Sequence, residues 1–391
     1  MNFQLIPRVT TPAARHLPFN CVALLLQGGG ALGAYQGGVY EALAEADIHP
    51  DWIAGISIGA INAAIIAGNP PNARVDRLRE FWTQVSSSTP WHWPANPFFD
   101  HTRSDGARNI LNQMSAMVAL ACGAAGFFSA RPVLPWLQPG GMHEATSFYD
   151  TKALRRTLER LVDFDRINAG ITRFSAGAVN VRTGNLIYFD TNTHTIRPEH
   201  VMASGALPPG FPAVEIDGEQ YWDGGLVSNT PLQWVFEFGP RQDTLAFQVD
   251  LWSARGQLPR NMAEVATRQK EIQYSSRTRA STDQFKLVHR LQRALDALLR
   301  RLPGDFDDNE DVKLLKPVAS RNVYNIVHLI YRAQNYEGPS KDYEFSQLSM
   351  QDHWRAGYHD ALRTLRHPEV LERPTSPDGV FTFDLERDGR E

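Results

Sequence analysis

Twice within its first 70 residues the chain passes from a short apolar run, through glycine, into helical periodicity, and nothing else in it constrains the fold as strongly. Cys21–Gln27 is a continuous apolar run closed by Gly28–Gly30, which reads as a buried strand. Ala34–Ala46 follows with Val39, Leu43 and Ala46 on one face and Glu41 and Glu45 on the other, the pattern of an amphipathic helix. Trp52–Ile56 is a second short strand, and Ile58–Ala67 is a small-residue helix stopped by Gly68, with Pro70 and Pro71 beyond it. Strand, turn and helix in repetition require parallel pairing within an α/β layer structure.

The rhythm continues with one interruption. Arg74–Val85 reads as a helix, but Ser86 to His143 loses periodicity and collects Trp91, Trp93, Phe98, Phe99, Phe127, Phe128 and Trp136 among prolines. That stretch reads as an insertion covering something. Leu154–Leu161 is a helix; Arg173–Val179, Leu186–Asp190, Gln220–Trp222 and Thr244–Leu251 are strands. A long helical region runs from about Asn261 to Leu302, then a strand at Val323–Tyr331 and a closing amphipathic helix at Gln347–Leu365.

Gly55-Ile-Ser57-Ile-Gly59 has the G-x-S-x-G form where the second strand becomes its helix. Glycines flanking the serine let the backbone turn sharply, so the hydroxyl projects beyond the carboxyl end of the strand. The helix that follows aims its N-terminal N–H groups at the point where an oxyanion would form. Gly28-Gly-Gly30-Ala-Leu-Gly33 satisfies G-x-G-x-x-G, again between strand and helix. Two readings of it are open: a dinucleotide fingerprint, which makes an NAD- or FAD-dependent oxidoreductase, or a loop presenting consecutive N–H groups to an oxyanion beside a nucleophile. The fingerprint wants an acid about 20 residues on, at the end of the next strand. That strand ends in Gly-Ile-Ser, and Asp47 and Asp51 precede it, which favours the second reading.

A serine nucleophile needs a base. Of the late histidines His289, His328, His353, His359 and His367, none lies in a glycine-rich strand-end turn, and the last three read as exposed positions on or beside the closing helix. Asp223 in Trp222-Asp-Gly-Gly225 is the better candidate, because glycines let a carboxylate approach another backbone closely.

In this order the three motifs resemble those of the patatin-like phospholipase family, and Ala203-Ser-Gly-Ala-Leu-Pro-Pro-Gly-Phe-Pro212 resembles the family's segment upstream of its aspartate. The resemblance covers about residues 20–250; the tail, with Trp354 and Gly357 on a late helix, looks like a bacterial subgroup with an extended C-terminal region. It implies a three-layer α/β/α sandwich around a mostly parallel central sheet, with a helical insertion and a helical C-terminal extension. It implies Ser57 as nucleophile, Asp223 as proton acceptor, an oxyanion hole from Gly28, Gly29, Gly30 and Ile58, and Gly33, Gly55, Gly59, Gly224 and Gly225 as motif glycines, with neither metal nor cofactor. The implied activity is hydrolysis of lipid acyl esters through an acyl-enzyme. The same dyad also suits an acyltransferase or a polyester or thioester hydrolase, and a lipid-binding scaffold with idle motifs is the alternative of another class. One position departs from the family. Many members carry Arg or Lys where Leu32 stands, and a cation there could hold a phosphate. Leu32 cannot, which weighs on phospholipids more than on esters in general.

Motif residues spread from Gly28 to Asp223, so no domain boundary can fall between them. The expected organisation is an irregular leader over 1–20, a catalytic domain over 21–250 with a lid-like insertion at about 86–145, and a mainly helical extension over 251–391 whose strand near 323–331 is a candidate to join the main sheet. Asn109 to Ala130 carries no charge, and a bilayer span, an interfacial lid and a buried helix are all open for it. Between Arg260 and Arg301 ten cations stand against four acids, with Leu287, Leu291, Leu295 and Leu298 at helical spacing. A core stripe with a solvated basic face is the preferred reading of that stretch, over docking on an anionic membrane. Lys+Arg 39 against Asp+Glu 43 leaves no field to grip nucleic acid. Cys21 and Cys122, the only cysteines, offer neither a disulfide framework nor zinc spacing. The expected partner is a lipid or other acyl-ester substrate, and the expected setting is the cytoplasm with peripheral contact to a membrane surface.

Overall fold

The computed structural model describes residues 17–87, 105–238, 241–275, 278–306, 308–334, 336–376 and 378–385. Most of the leader, the insertion's Trp91, Trp93, Phe98 and Phe99, and Arg277 of the basic stretch lie outside the described residues. In chain order the elements are β1 (Cys21–Leu26), α1 (Ala34–Glu45), β2 (Trp52–Ile56), α2 (Ile58–Ala67), α3 (Pro71–Val85) and α4 (Asp105–Cys122). Next come β3 (Ser129–Ala130), β4 (Tyr149–Asp150), α5 (Lys152–Leu161), α6 (Phe164–Asn168), β5 (Arg173–Asn180), β6 (Leu186–Asp190), α7 (Pro198–Ser204), β7 (Val214–Ile216), β8 (Glu219–Asp223) and α8 (Leu232–Phe238). The remainder is β9 (Thr244–Asp250), α9 (Met262–Tyr274), α10 (Thr278–Leu299), α11 (Glu310–Leu315), β10 (Tyr324–Ile330), α12 (Gln347–Leu365) and β11 (Val380–Phe383).

The main sheet runs β11-β10-β9-β1-β2-β5-β8-β7, with β6 on the far edge of β5. Pairing from β11 to β5 is parallel throughout; only β6, β7 and β8 run antiparallel to their neighbours. Alternation along β1 divides the molecule into layers. Val22, Leu24 and Leu26 enter one core with α1, α2, α3 and α12; Cys21, Ala23 and Leu25 enter another with Leu232 and Val235 of α8 and with Phe285 of α10. A strand buried on both faces has no polar side to show, which is why it reads as an unbroken apolar run. The architecture is a three-layer α/β/α sandwich.

Two expectations are corrected, one open reading is narrowed and one strand is added. The helical region expected from 261 to 302 is two helices, α9 and α10. Its leucines do not form a core stripe: Leu287, Leu291 and Leu298 are 59–62% exposed. The sheet instead receives Phe285, stacked on Phe236 at 4.3 Å and edge-on to Tyr324, together with the buried His289. Secondly, α4 is neither a bilayer span nor a buried helix. Its small residues Ala116 and Ala119 turn inward while Ile110, Met114 and Met117 stay exposed. Thirdly, His353 is buried on α12, where its Nε2 pairs with Glu337 at 2.8 Å; His359 is exposed as expected. Burial pushes the His353 pKa down, but Glu337 outweighs it and the net direction is up. Fourthly, β11 extends the sheet beyond β10 and was not legible in a short stretch followed by charges.

Candidate active site

Ser57 is the turn between β2 and α2, and its backbone sits at φ 56°, ψ −127°. Such a conformation costs a non-glycine residue roughly 1–3 kcal/mol and persists only where its surroundings enforce it. Here they do. A Cβ on Gly55 would come within 2.4 Å of the Gly59 backbone, and one on Gly59 would lie 2.2 Å from the Leu26 carbonyl oxygen. Only glycine lets strand and helix approach this closely. The Ser57 N–H donates to Ser204 Oγ at 3.0 Å, and that hydroxyl donates to the Gly177 carbonyl at 2.6 Å. Ser204 is fully buried at the end of α7. It lies inside the segment quoted above, yet its role as a tie between the Ser57 turn and β5 was not legible there.

Strand register brings Asp223 to Ser57. β2 ends with Ile56 opposite Gly177, and β8 ends with Asp223 opposite Ala178. Since β6 occupies the other edge of β5 over residues 175–179, β2 and β8 share one edge and meet head to head. The next position after Ile56 is Ser57. Asp223 is 1% exposed, and its Oδ1 accepts the Gly225 N–H at 2.7 Å. Its Oδ2 has no fully formed hydrogen bond, while the Ser57 hydroxyl is close enough to favour the charged carboxylate. Burial pushes its pKa up to about 7, against the opposing pull of Ser57 and the Gly225 N–H.

The Gly28–Gly33 loop passes directly over the serine: a Cβ on Gly28 would lie 3.0 Å from Ser57 Cβ and 2.3 Å from Asn229 Oδ1. The Gly28 carbonyl accepts from Asn229 Nδ2 and from Trp252 Nε1, each at 3.0 Å. Of the four expected oxyanion donors, Gly28 differs from the rest, because its N–H already donates to the Asn229 carbonyl at 3.3 Å. The N–H groups of Gly29 and Gly30 have no protein acceptor among the described residues, and Ile58 is the first residue of α2, where a helix offers none. The end of β2, where a dinucleotide fold carries its ribose-binding acid, carries Ser57 instead.

Ser57, Asp223, Gly29, Gly30 and Ile58 all open on one cavity of ≈ 280 Å³. Its wall is aromatic: the Phe128 ring centroid lies 5.0–5.9 Å from Tyr149, Phe211 and Phe345. Phe127 and Phe128 come from the insertion, so this stretch supplies part of the wall. Among the described residues no Lys or Arg lines the cavity, and Leu32 is buried in the core. Nor, among the described residues, is any group of three or more His, Cys, Asp or Glu placed to hold a metal ion.

Residues 24–235 match the family profile described as patatin-like phospholipase, and residues 272–377 match one described as patatin phospholipase. Patatin-like phospholipase domain-containing protein 7 is 50% identical over 75 residues in Mus musculus and 40% identical over 75 residues in Rattus norvegicus. Each match takes in 19% of this chain and 6% of the relative, so the chain corresponds to a small part of those proteins. Among solved structures, VipD from Legionella pneumophila aligns over 93% of this chain and 71% of its own, at 15% identity and a TM-score of 0.40. ExoU of the type III secretion system of Pseudomonas aeruginosa, solved with SpcU, aligns over 75% of this chain and 60% of its own, at 16% identity and a TM-score of 0.26.

Proposed function

The chain belongs to the patatin-like phospholipase family, whose profile spans more than half of it, and from that premise we propose that it is a serine lipid acyl hydrolase working through a Ser57–Asp223 dyad. Ser57 Oγ attacks the ester carbonyl carbon as Asp223 Oδ2 takes its proton. The oxyanion is held by the N–H groups of Gly29, Gly30 and Ile58. Collapse of the tetrahedral intermediate breaks the bond to the alcohol, which leaves with the proton from Asp223. Water then attacks the acyl-enzyme, gives its proton to Asp223, and the free acid departs as Ser57 recovers the proton. The observation that carries this reading is a buried carboxylate with one unsatisfied oxygen beside a strained serine under a glycine loop.

An aromatic wall that, among the described residues, carries no Lys or Arg suits an acyl chain better than a charged head group. We therefore assign the substrate to lipid esters at a membrane or micelle surface, with peripheral contact made around the cavity mouth. Leu120 lines the cavity and is itself exposed, and Met114, Met117, Trp136 and Leu137 extend the apolar surface of the insertion. No described helix is long and apolar enough to cross a membrane. In this reading residues 21–250 carry the chemistry and 251–391 support it. Wild type and Ser57→Ala should be compared on p-nitrophenyl esters, phospholipids and acyl thioesters. Ester turnover by the wild type, falling at least about 10³-fold in Ser57→Ala, is the expected result. Equal turnover by both proteins would remove the assignment, and a preference for thioesters or transfer to an added alcohol would redirect it.

A further inference from the structure

We propose that residues 337–345, between β10 and α12, act as a strap that holds the Gly28–Gly33 loop in its donor geometry, with Lys270 and Asp342 as positioning residues. The proposal rests on the oxyanion role given to that loop above. The strap touches the loop backbone to backbone. The Asp342 carbonyl accepts the Ala31 N–H at 2.8 Å, and the same oxygen lies 2.1 Å from where a Gly30 Cβ would stand. Gly30 is at φ 56°, so its conformation and its contact with the strap both exclude a side chain. On its other side the strap contributes Tyr343 and Phe345 to the cavity wall.

The strap is fixed to α9 by two adjacent pairs of opposite polarity. Lys270 Nζ donates to Asp342 Oδ1 at 2.8 Å, to Asp342 Oδ2 at 3.0 Å and to the Pro339 carbonyl at 2.9 Å, which uses all three of its hydrogens. The neighbouring Glu271 receives Lys341 Nζ at 2.8 Å, and Lys341 is only 4% exposed. Lys–Glu on α9 thus meets Asp–Lys on the strap. A slip of one residue would set Lys341 against Lys270 in one direction or Asp342 against Glu271 in the other, so the charges specify register as well as contact. Upstream, Glu337 Oε1 accepts from Tyr331 Oη at 2.6 Å and pairs with buried His353, which anchors the start of the strap on α12 and on the residue that follows β10. α9 reaches the loop from the other side too: the Tyr274 carbonyl accepts from Gln27 Nε2 and Asn229 Nδ2. A stabilising pair could sit anywhere on the surface; this one sits one peptide away from the proposed oxyanion donors.

The test uses the full chain and a soluble p-nitrophenyl ester. Lys270→Met should lower kcat about 10- to 100-fold while KM moves less than about twofold, because a donor geometry matters in the transition state and not in ground-state binding. Inhibition by a trifluoromethyl ketone, whose adduct carries the same oxyanion, should weaken by a similar factor. Lys270→Arg should recover most of the rate. Lys313→Met, on exposed α11 and paired only with Asp308 among the ion pairs described, should change neither quantity. Asp342→Asn keeps shape and an acceptor, so it serves if Lys270→Met does not fold; about a threefold to tenfold loss of kcat is expected from it. Unchanged kcat and unchanged ketone inhibition in folded variants would overturn the proposal, as would a rise in KM at constant kcat. Turnover that survives in Ser57→Ala would instead count against the reaction itself.

Discussion

The Ser57 turn and the glycine loop stand against each other across one cavity and are built in opposite ways. The turn is built mostly at short range: Ser57, Gly55 and Gly59 pack on one another and on Leu26, and Ser204 of α7 adds a long-range tie to the Ser57 N–H. The loop is held from far along the chain, by Asn229, Trp252 and Asp342. A short-range construction can be written as a motif, because spacing alone decides it. A long-range construction cannot, because its parts carry no fixed spacing. In the proposed mechanism the comparison also separates roles: the turn would fix where the attacking oxygen is, and the loop where the developing charge goes.

Asp223 joins the two, and its removal should have the largest effect. Asp223→Asn should reduce kcat at least about 10³-fold and yet raise stability. The folded-state pKa of about 7 lies above the ordinary 3.8, so the folded chain holds a proton that the unfolded chain has released between about pH 4 and pH 7. Stability therefore falls as pH rises through that window, and an amide escapes the penalty. At pH 8 the variant should melt about 2–4 °C higher, measured by calorimetry. In the wild type kcat/KM should fall about tenfold per pH unit below about 7, where the base is protonated.

Ser204→Ala is next, and it probes the turn alone. It leaves the Ser57 N–H and the Gly177 carbonyl without their shared partner, at a cost of about 1–3 kcal/mol in denaturant unfolding, with a fall in kcat as the strained turn relaxes. Trp252→Phe probes the loop and should be the mildest. It removes the indole N–H from the Gly28 carbonyl, which keeps Asn229 Nδ2, so a loss of about threefold to tenfold in kcat is expected, with little change in KM. Loss of all turnover in Ser204→Ala would mean that the turn is not built mainly at short range, and unchanged kcat in Trp252→Phe would mean that the loop is not held through the Gly28 carbonyl.

The same contrast explains what could be read from the chain. β1, β2, α1 and α2 were legible because each is a local pattern, β1 and α2 being closed by Gly28 and Gly68, and Asp223 was legible as a carboxylate in a glycine turn. The head-to-head register of β2 and β8 that brings Asp223 to Ser57 was not, since strand partners are chosen by the sheet as a whole. Periodicity shows that a helix has an apolar stripe but not which face the sheet will take. Leu287, Leu291 and Leu298 form such a stripe and remain outside, because the aromatic Phe285 fills the space over Tyr324. His353 misled for the converse reason: a polar residue on an amphipathic helix is buried when a carboxylate from another element waits for it. The strap has neither apolar period nor motif, and its adjacent Lys341 and Asp342 acquire meaning only beside Lys270 and Glu271.

The most direct measurement is covalent. The wild-type chain and Asp223→Asn should be treated with a fluorophosphonate, digested and read by mass spectrometry. A single phosphonyl adduct on Ser57 of the wild type, forming far more slowly in Asp223→Asn, is the expected result. An adduct on another residue, or equal rates of labelling in the two proteins, would contradict the Ser57–Asp223 dyad.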